Sequence, residues 1–206
     1  MTVDEIFEIV RSGKPYAIDD EGFLNAQLAV LDKLYEINHT KPSEQVKRRE
    51  LYKDFFGKVG KNLYLELPFH ANWGINTYWG DDCYANFNLT LVDDGDIIFG
   101  NSVLLAPGVT ITTTGHVIEP SLRKKTYQFS ERVVIDDNVW IGANSVIMPG
   151  VHIGENSVIG AGSVVTKDIP ANVVAFGTPC RVIREINEYD RLYYRKGKKI
   201  EWENLK

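Results

Sequence analysis

The hydrophobic pattern divides the chain into a helical first part and a longer second part with a different period. Over residues 1–60 apolar positions recur at helical spacing, and Leu24, Leu28, Leu31 and Leu34 trace one face of a helix. A shorter amphipathic stretch, about Val3 to Arg11, precedes it, joined by the polar link Gly13 to Glu21. Ser43 after Pro42 has the chemistry of an N-cap for a third helix carrying Leu51, Tyr52 and Phe55. These 60 residues read as a packing lid of short amphipathic helices, with a link that has the alternative of reaching a binding site.

From about residue 61 the helical period gives way to a period of six. Ile135, Ile141, Ile147, Ile153, Ile159 and Val165 stand six residues apart without a miss. Four positions on from each stand Val139, Ser145, Val151, Ser157, Ser163 and Ile169, mostly small or β-branched. Gly142, Gly154 and Gly160 follow three of the aliphatic positions, where turns and close backbone approach suit glycine. Val and Ile fill 16 of the 42 positions from Val133 to Val174, which favours short strands over helices.

Six fits neither the α-helix nor a simple hairpin array. It fits a parallel β-helix of hexapeptide repeats, in which each hexapeptide makes one flat strand and one corner, and three close a coil of about 18 residues. The period returns upstream, less cleanly, as Trp79, Ala85 and Leu91, then Phe99, Leu105 and Ile111. The pattern therefore predicts a mainly β fold: a helical segment over 1–60, the β-helix over 61–178, and a tail over 179–206. The register fails over 117–132, a polar loop with Arg123, Lys124 and Lys125. A long excursion from a strict repeat is more often functional than accidental.

Composition narrows the partners. Twenty-three Lys and Arg against 28 Asp and Glu leave a net charge of −5, without the basic field that draws in nucleic acid. No apolar run has the length of a membrane span, and Met1 to Glu5 has no signal-peptide character. Cys83 and Cys180 allow at most one bridge and form no metal-spaced pair, so a cytoplasmic setting with reduced thiols is expected.

His116 closes the regular coils just before the loop. Imidazole titrates near neutrality and suits a general base, although a loop histidine can also be merely solvated. His39 and His70 lie in or near the helical part, and His152 falls at a corner position. A zinc enzyme on such a fold needs three converging histidines, which this pattern does not supply, so no metal is expected.

Longer motifs are more specific. Tyr84-Ala85-Asn86-Phe87-Asn88, Val92-Asp93-Asp94, Thr114-Gly115-His116 and Asn138-Val139-Trp140-Ile141-Gly142 stand in order along the chain, followed by Val164 to Pro170 and Gly177 to Arg184. With the Ile-Gly-x-x-Ser-Val repeats and the helical N-terminus, the chain resembles the galactoside and maltose O-acetyltransferases among the hexapeptide-repeat acyltransferases. The resemblance implies a left-handed coil, a homotrimer with sites between subunits, and acetyl-CoA as co-substrate with no metal required. It places the catalytic base at His116. It places the sugar pocket at Asn86, Asp94 and Tyr84, with Asn72 and Leu104 as further contacts. Coenzyme contacts fall on Trp140, Ala143, Ala161, Thr166, Lys167, Arg181 and Arg184.

Each of these residues also has an ordinary reading. Asn86 suits a coil corner, the alanines suit packing, Trp140 suits a core or interface, and the basic residues suit a solvated surface. The three-residue spacing of Arg181 and Arg184 would bring both to one side of a helical turn. Two positions depart from the family: Ile18 and Gln27 stand where the galactoside enzyme has a substrate-binding aspartate and arginine. Asp19 or Asp20 can supply the carboxylate after a small shift, whereas Gln27 cannot supply the guanidinium.

The expected function is acetyl transfer from acetyl-CoA to a sugar hydroxyl, the 6-hydroxyl of a hexose or hexoside such as maltose, glucose or a galactoside, without an acyl-enzyme. The alternatives are a non-sugar acceptor such as an antibiotic, and a catalytically idle trimeric scaffold. Neither nucleic acid nor membrane is an expected partner.

Overall fold

A computed structural model describes residues 2–17 and 21–205. Three helices, α1 (Val3–Arg11), α2 (Glu21–Asn38) and α3 (Gln45–Phe55), precede a parallel β-helix of triangular section. Its first face stacks Tyr64–Leu65, Tyr84–Ala85, Leu104–Leu105, Trp140–Ile141, Val158–Ile159 and Val173–Gly177. The second stacks His70–Ala71, Thr90–Val92, Thr110–Thr112, Val146–Ile147 and Val164–Val165. The third stacks Thr77–Tyr78, Ile97–Phe99, Val133–Ile135 and His152–Ile153. The segment that follows the last coil starts within the sheet, because Cys180–Glu185 folds back antiparallel on Val173–Gly177 and closes the end of the first face.

Strands this short hold together because each inward side chain sits on the one below it. Leu65, Ala85, Leu105, Ile141, Ile159 and Ala175 pair in register to form one buried column. The positions four residues on, Val139, Ser145, Val151, Ser157, Ser163 and Ile169, are buried as well. The serines pay no penalty for burial: Ser145 Oγ donates to the Gly142 carbonyl at 2.8 Å and Ser157 Oγ to that of Pro170 at 2.7 Å. At the outer corner between the third and first faces, Asn138, Asn156 and Asn172 adopt left-handed φ of 58, 60 and 61°, which asparagine tolerates. Their side-chain amides form a ladder with steps of 2.9 Å.

The eighteen-residue repeat holds where Ile141 pairs with Ile159 and Ile147 with Val165, and the last coil is shorter, with Ile159 paired to Ala175. Earlier coils are longer: Leu65 pairs with Ala85, Ala85 with Leu105, and Leu91 with Ile111. The surplus lies at the corner between the second and third faces, at residues 72–76 and 93–96. One coil later the same corner opens into an antiparallel hairpin, Thr114–His116 against Gln128–Ser130.

Aromatic rings plug the open start of the prism. Phe55 and Phe56 pack around Phe69, and Trp79 stacks on Phe99 with centroids 3.9 Å apart. Two helical expectations need correction. Glu44, not Ser43, precedes α3, and its carboxylate receives the Lys41 N–H at 2.8 Å instead of capping the helix. Of the α2 leucines only Leu34 is buried, with Ile37, while Leu24, Leu28 and Leu31 face outward. The helix packs instead through Phe23, Ala26 and Val30 on the cluster around Trp73, and through Leu34 and Ile37 on the main core.

Gly142 marks how closely the coils approach, since a Cβ there would lie 2.5 Å from the backbone nitrogen of Ala161. Gly142→Ala should lower unfolding stability by about 1–3 kcal/mol in urea titrations, the range for forcing volume into a packed site. An unchanged midpoint would show that the coils can move apart at no cost.

Candidate active site

The corner between the second and third faces is also where the helices dock. Ile6, Phe7, Val10, Tyr16 and Trp73 form a small buried cluster there, with Phe23 packed against it. Trp73 belongs to the surplus corner residues, and the Phe7 ring meets it edge-on at 5.1 Å. Between α2 and this edge lies a cleft of about 460 Å³, bounded by Phe23 and Gln27 on the helix, Asn72 and Asp94 on the corner, and His116 and Gln128 on the hairpin.

His116 is exposed at the end of its strand, with Nδ1 3.3 Å from the carbonyl oxygen of Tyr127. A carbonyl only accepts, so this contact is a hydrogen bond when Nδ1 carries the proton, and Nε2 then keeps its lone pair. The preceding glycine lies under the ring of Phe129, its partner across the hairpin, and a Cβ there would come within 2.9 Å of that ring. Asp94 is held by two donors, Asn72 Nδ2 at 3.1 Å and Trp73 Nε1 at 3.2 Å. Its remaining lone pairs are left for hydroxyl donors entering the cleft.

The neighbouring carboxylate has a different task. Asp93 is fully buried and accepts from the backbone N–H groups of Asn72 and Trp73 at 3.0 and 2.9 Å and from Thr77 Oγ1 at 2.9 Å. It ties the surplus corner of one coil to the next. Burial pushes its carboxyl up from 3.8 to about 7.

The other sequence-assigned residues lie elsewhere. Tyr84, Leu104, Trp140, Val158, Val174 and Arg184 pair in succession across the first face. This row is about 24 Å long at the usual strand spacing. Leu104 and Trp140 are 46% and 51% exposed on it. Asn86, Ala143 and Ala161 stand at the corner where the first face turns into the second, and none of them lines the His116 cleft. Thr166 and Lys167 follow Val164–Val165 and so stand at the His116 edge, apart from Ala143 and Ala161. A single chain thus divides the assigned residues between two edges.

Arg181 and Arg184 lie on a strand and not on a helical turn. An irregularity between Val174 and Ala175 sets Arg181 opposite Phe176 and Arg184 opposite Val174, so both occupy the same side. Arg184 is engaged: its two terminal nitrogens hold Asp190 at 2.6 and 2.7 Å, and that fork lowers the Asp190 carboxyl to about 2. Ile18, Asp19 and Asp20 lie outside the described residues, whereas Gln27 does face the cleft.

His70 belongs to a strand of the second face, not to the helical part. His152 also sits on a strand, with Nε2 2.8 Å from Asp136. Among the described residues no group of three His, Cys, Asp or Glu could hold a metal ion, and no helix is long and apolar enough to cross a membrane. Both cysteines are free and buried. Sequence reasoning missed Phe23, Trp73, Asp93, Tyr16 and Gln128. The one available signal was the alternation Gln128-Phe129-Ser130 within the broken register, facing Thr114-Gly115-His116.

Comparison with known proteins agrees with this architecture. Residues 132–167 match the bacterial transferase hexapeptide model (six repeats), and residues 10–60 match the maltose acetyltransferase hexapeptide capping motif. The chain is 50% identical over 194 residues to the galactoside O-acetyltransferase of Escherichia coli (strain K12), covering 94% of this chain and 96% of the relative. It is 48% identical over 198 residues to that of Lactococcus lactis subsp. lactis (strain IL1403), covering 96% of each. A solved galactoside acetyltransferase in complex with coenzyme A superimposes with a TM-score of 0.92 at 50% identity, covering 95% of this chain and 98% of that one. A maltose O-acetyltransferase from Clostridium difficile 630 gives 0.86 at 41% identity, with 88% and 97% covered. The coil is the left-handed β-helix of these enzymes.

Asp93 yields a pH test. Its carboxyl keeps its proton to about 7 in the folded state and loses it near 3.8 when unfolded, so the folded state binds more protons between those values. Its contribution to stability therefore falls as pH rises through that window. Asp93→Asn preserves both backbone contacts through Oδ1 and cannot ionise. In urea titrations the variant's stability relative to wild type should grow between about pH 4 and pH 7 and then level off. A constant difference across that range would show that Asp93 is ionised throughout.

Proposed function

The chain belongs to the galactoside and maltose O-acetyltransferases, acyltransferases that draw on acetyl-CoA, and on that premise we propose that His116 is the general base for acetylation of a sugar 6-hydroxyl. The observation that carries this reading is the arrangement in the cleft: His116 with Nδ1 directed at the Tyr127 carbonyl, beside Asp94 fixed by Asn72 and Trp73. In this arrangement Nε2 takes the hydroxyl proton as the sugar oxygen attacks the thioester carbon. Collapse of the tetrahedral intermediate breaks the carbon–sulfur bond, and the imidazolium returns its proton to the departing thiolate. No acyl-enzyme forms.

Asp94 accepts hydroxyls of the acceptor, and Gln27 meets it with a neutral amide. A neutral amide gives up the stronger hydrogen bond that a guanidinium would offer, so the acceptor range extends over hexoses and hexosides such as maltose, glucose and galactosides. The reading includes a cytoplasmic setting, where acetyl-CoA is available.

The split of the assigned residues between two edges supports a homotrimer. His116, Asp94, Thr166 and Lys167 on one edge, and Tyr84, Asn86, Leu104, Trp140, Ala143, Ala161, Arg181 and Arg184 on the other, are complementary halves on different patches of one chain. Such halves make a heterologous contact, which closes into a ring with one site at each junction. The outward row on the first face then lies along acetyl-CoA. For Arg184 to hold a coenzyme phosphate, its pair with Asp190 must exchange.

Two experiments test this. His116→Ala should lower kcat by ~10²–10⁴ in a thiol-release assay with a panel of sugars, leaving acetyl-CoA binding intact. Turnover near wild type would remove His116 from the chemistry. In the second, inactive His116→Ala and Asn86→Ala chains are dissociated, mixed in equal amounts and reassembled. Random assortment should restore about one quarter of wild-type activity, because one junction in four joins an intact His116 to an intact Asn86. No restored activity would place the whole site within one chain.

A further inference from the structure

We propose that Tyr16 is a positioning residue for the transfer reaction, fixing the hairpin that carries His116 through both its backbone and its phenol. The inference rests on the reading of His116 as the base.

Tyr16 lies in the link between α1 and α2 and is 4% exposed. Its N–H donates to the carbonyl of Gln128, and its carbonyl accepts from the N–H of Gln128, both at 2.8 Å. The pair forms an antiparallel bridge that adds a further rung to the hairpin. The phenol oxygen accepts from Gln128 Nε2 at 3.1 Å and lies 2.7 Å from Ser130 Oγ. Ser130 Oγ lies in turn 2.7 Å from Thr114 Oγ1. Since Gln128 donates to the phenol, the phenol hydrogen is used only if it goes to Ser130, and the Ser130 hydrogen then goes to Thr114. The result is a one-way relay from the N-terminal segment to the cleft wall.

Register gives the relay its consequence. Gln128 stands directly across from His116, and Ser130 across from Thr114. Tyr127, whose carbonyl faces His116 Nδ1, is the residue before Gln128. Tyr16 therefore grips the strand that sets the orientation of the His116 ring, without itself lining the cleft. The hairpin hangs outside the stacked columns, which pass from Ile111 directly to Ile147, so coil packing alone does not hold it. Burial raises the Tyr16 phenol above its ordinary range, which keeps it a donor at working pH.

The test is Tyr16→Phe, which keeps the ring in its cluster and the backbone bridge and removes one oxygen. The expected result is a fall in kcat of about 10- to 100-fold, the scale of a small misplacement of a reacting group, with KM for acetyl-CoA unchanged. Ser130→Ala should give a similar fall, and the double variant no further fall, because both cut one relay. Amide hydrogen exchange over residues 114–117 and 127–130 should quicken, with exchange in the coils unaltered. Wild-type kcat in Tyr16→Phe overturns the proposal. So does a fall that multiplies with that of Ser130→Ala, or one accompanied by coil unfolding at unchanged hairpin exchange. If His116→Ala keeps its turnover, the base assignment fails by that result alone, and the exchange measurement still reports whether Tyr16 holds the hairpin.

Discussion

Every coil of this protein must lie flat on the next, with its inward side chains in unbroken columns. A residue inserted within a strand would turn the side chains beyond it to the wrong face. Extra chain can therefore enter only at a corner. The molecule uses one corner for this: short surpluses at residues 72–76 and 93–96, then the hairpin on the next coil. Because irregular backbone is admitted only there, the corner collects Asn72, Trp73, Asp94 and His116, while the other two corners stay tight. The cleft is a consequence of the stacking rule.

Irregular backbone needs partners of its own, and the corner finds them inside and outside the prism. Inside, Asp93 gathers two backbone N–H groups and a hydroxyl around one buried carboxyl group. Outside, α1, α2 and Tyr16 pack on Trp73 and bridge to the hairpin. Adjacent acidic side chains thus diverge, Asp93 turned inward to hold the turn and Asp94 outward to line the cleft. The helices do more than cover the coil, since Phe23 and Gln27 build one wall of the cleft. The outward leucines of α2 and the outward row on the first face leave apolar surface on both sides of the proposed junction between copies.

The hexapeptide period alone determined the β-helix, because a six-residue spacing of Ile and Val over many repeats can bury its columns in no other common way. The motif around His116 was legible too, since a break in a strict repeat stands out against it. Contacts between distant segments were not legible. Nothing in Pro15-Tyr16-Ala17 or in Gln128-Phe129-Ser130 announces that they pair, because a single bridge has no period. The roles of Asp93 and Asp94 could not be separated either, as identical neighbours differ only in which way the corner turns them. The spacing of Arg181 and Arg184 suggested a helical turn, but the open edge of Val173–Gly177 drew that segment into the sheet. Tertiary structure alone decided which faces the assigned residues occupy, and hence that the two proposed half-sites stand on separate edges of one chain. The physical reason is that periodicity records what each residue shares with its own coil, whereas a site depends on which coils, corners and helices meet.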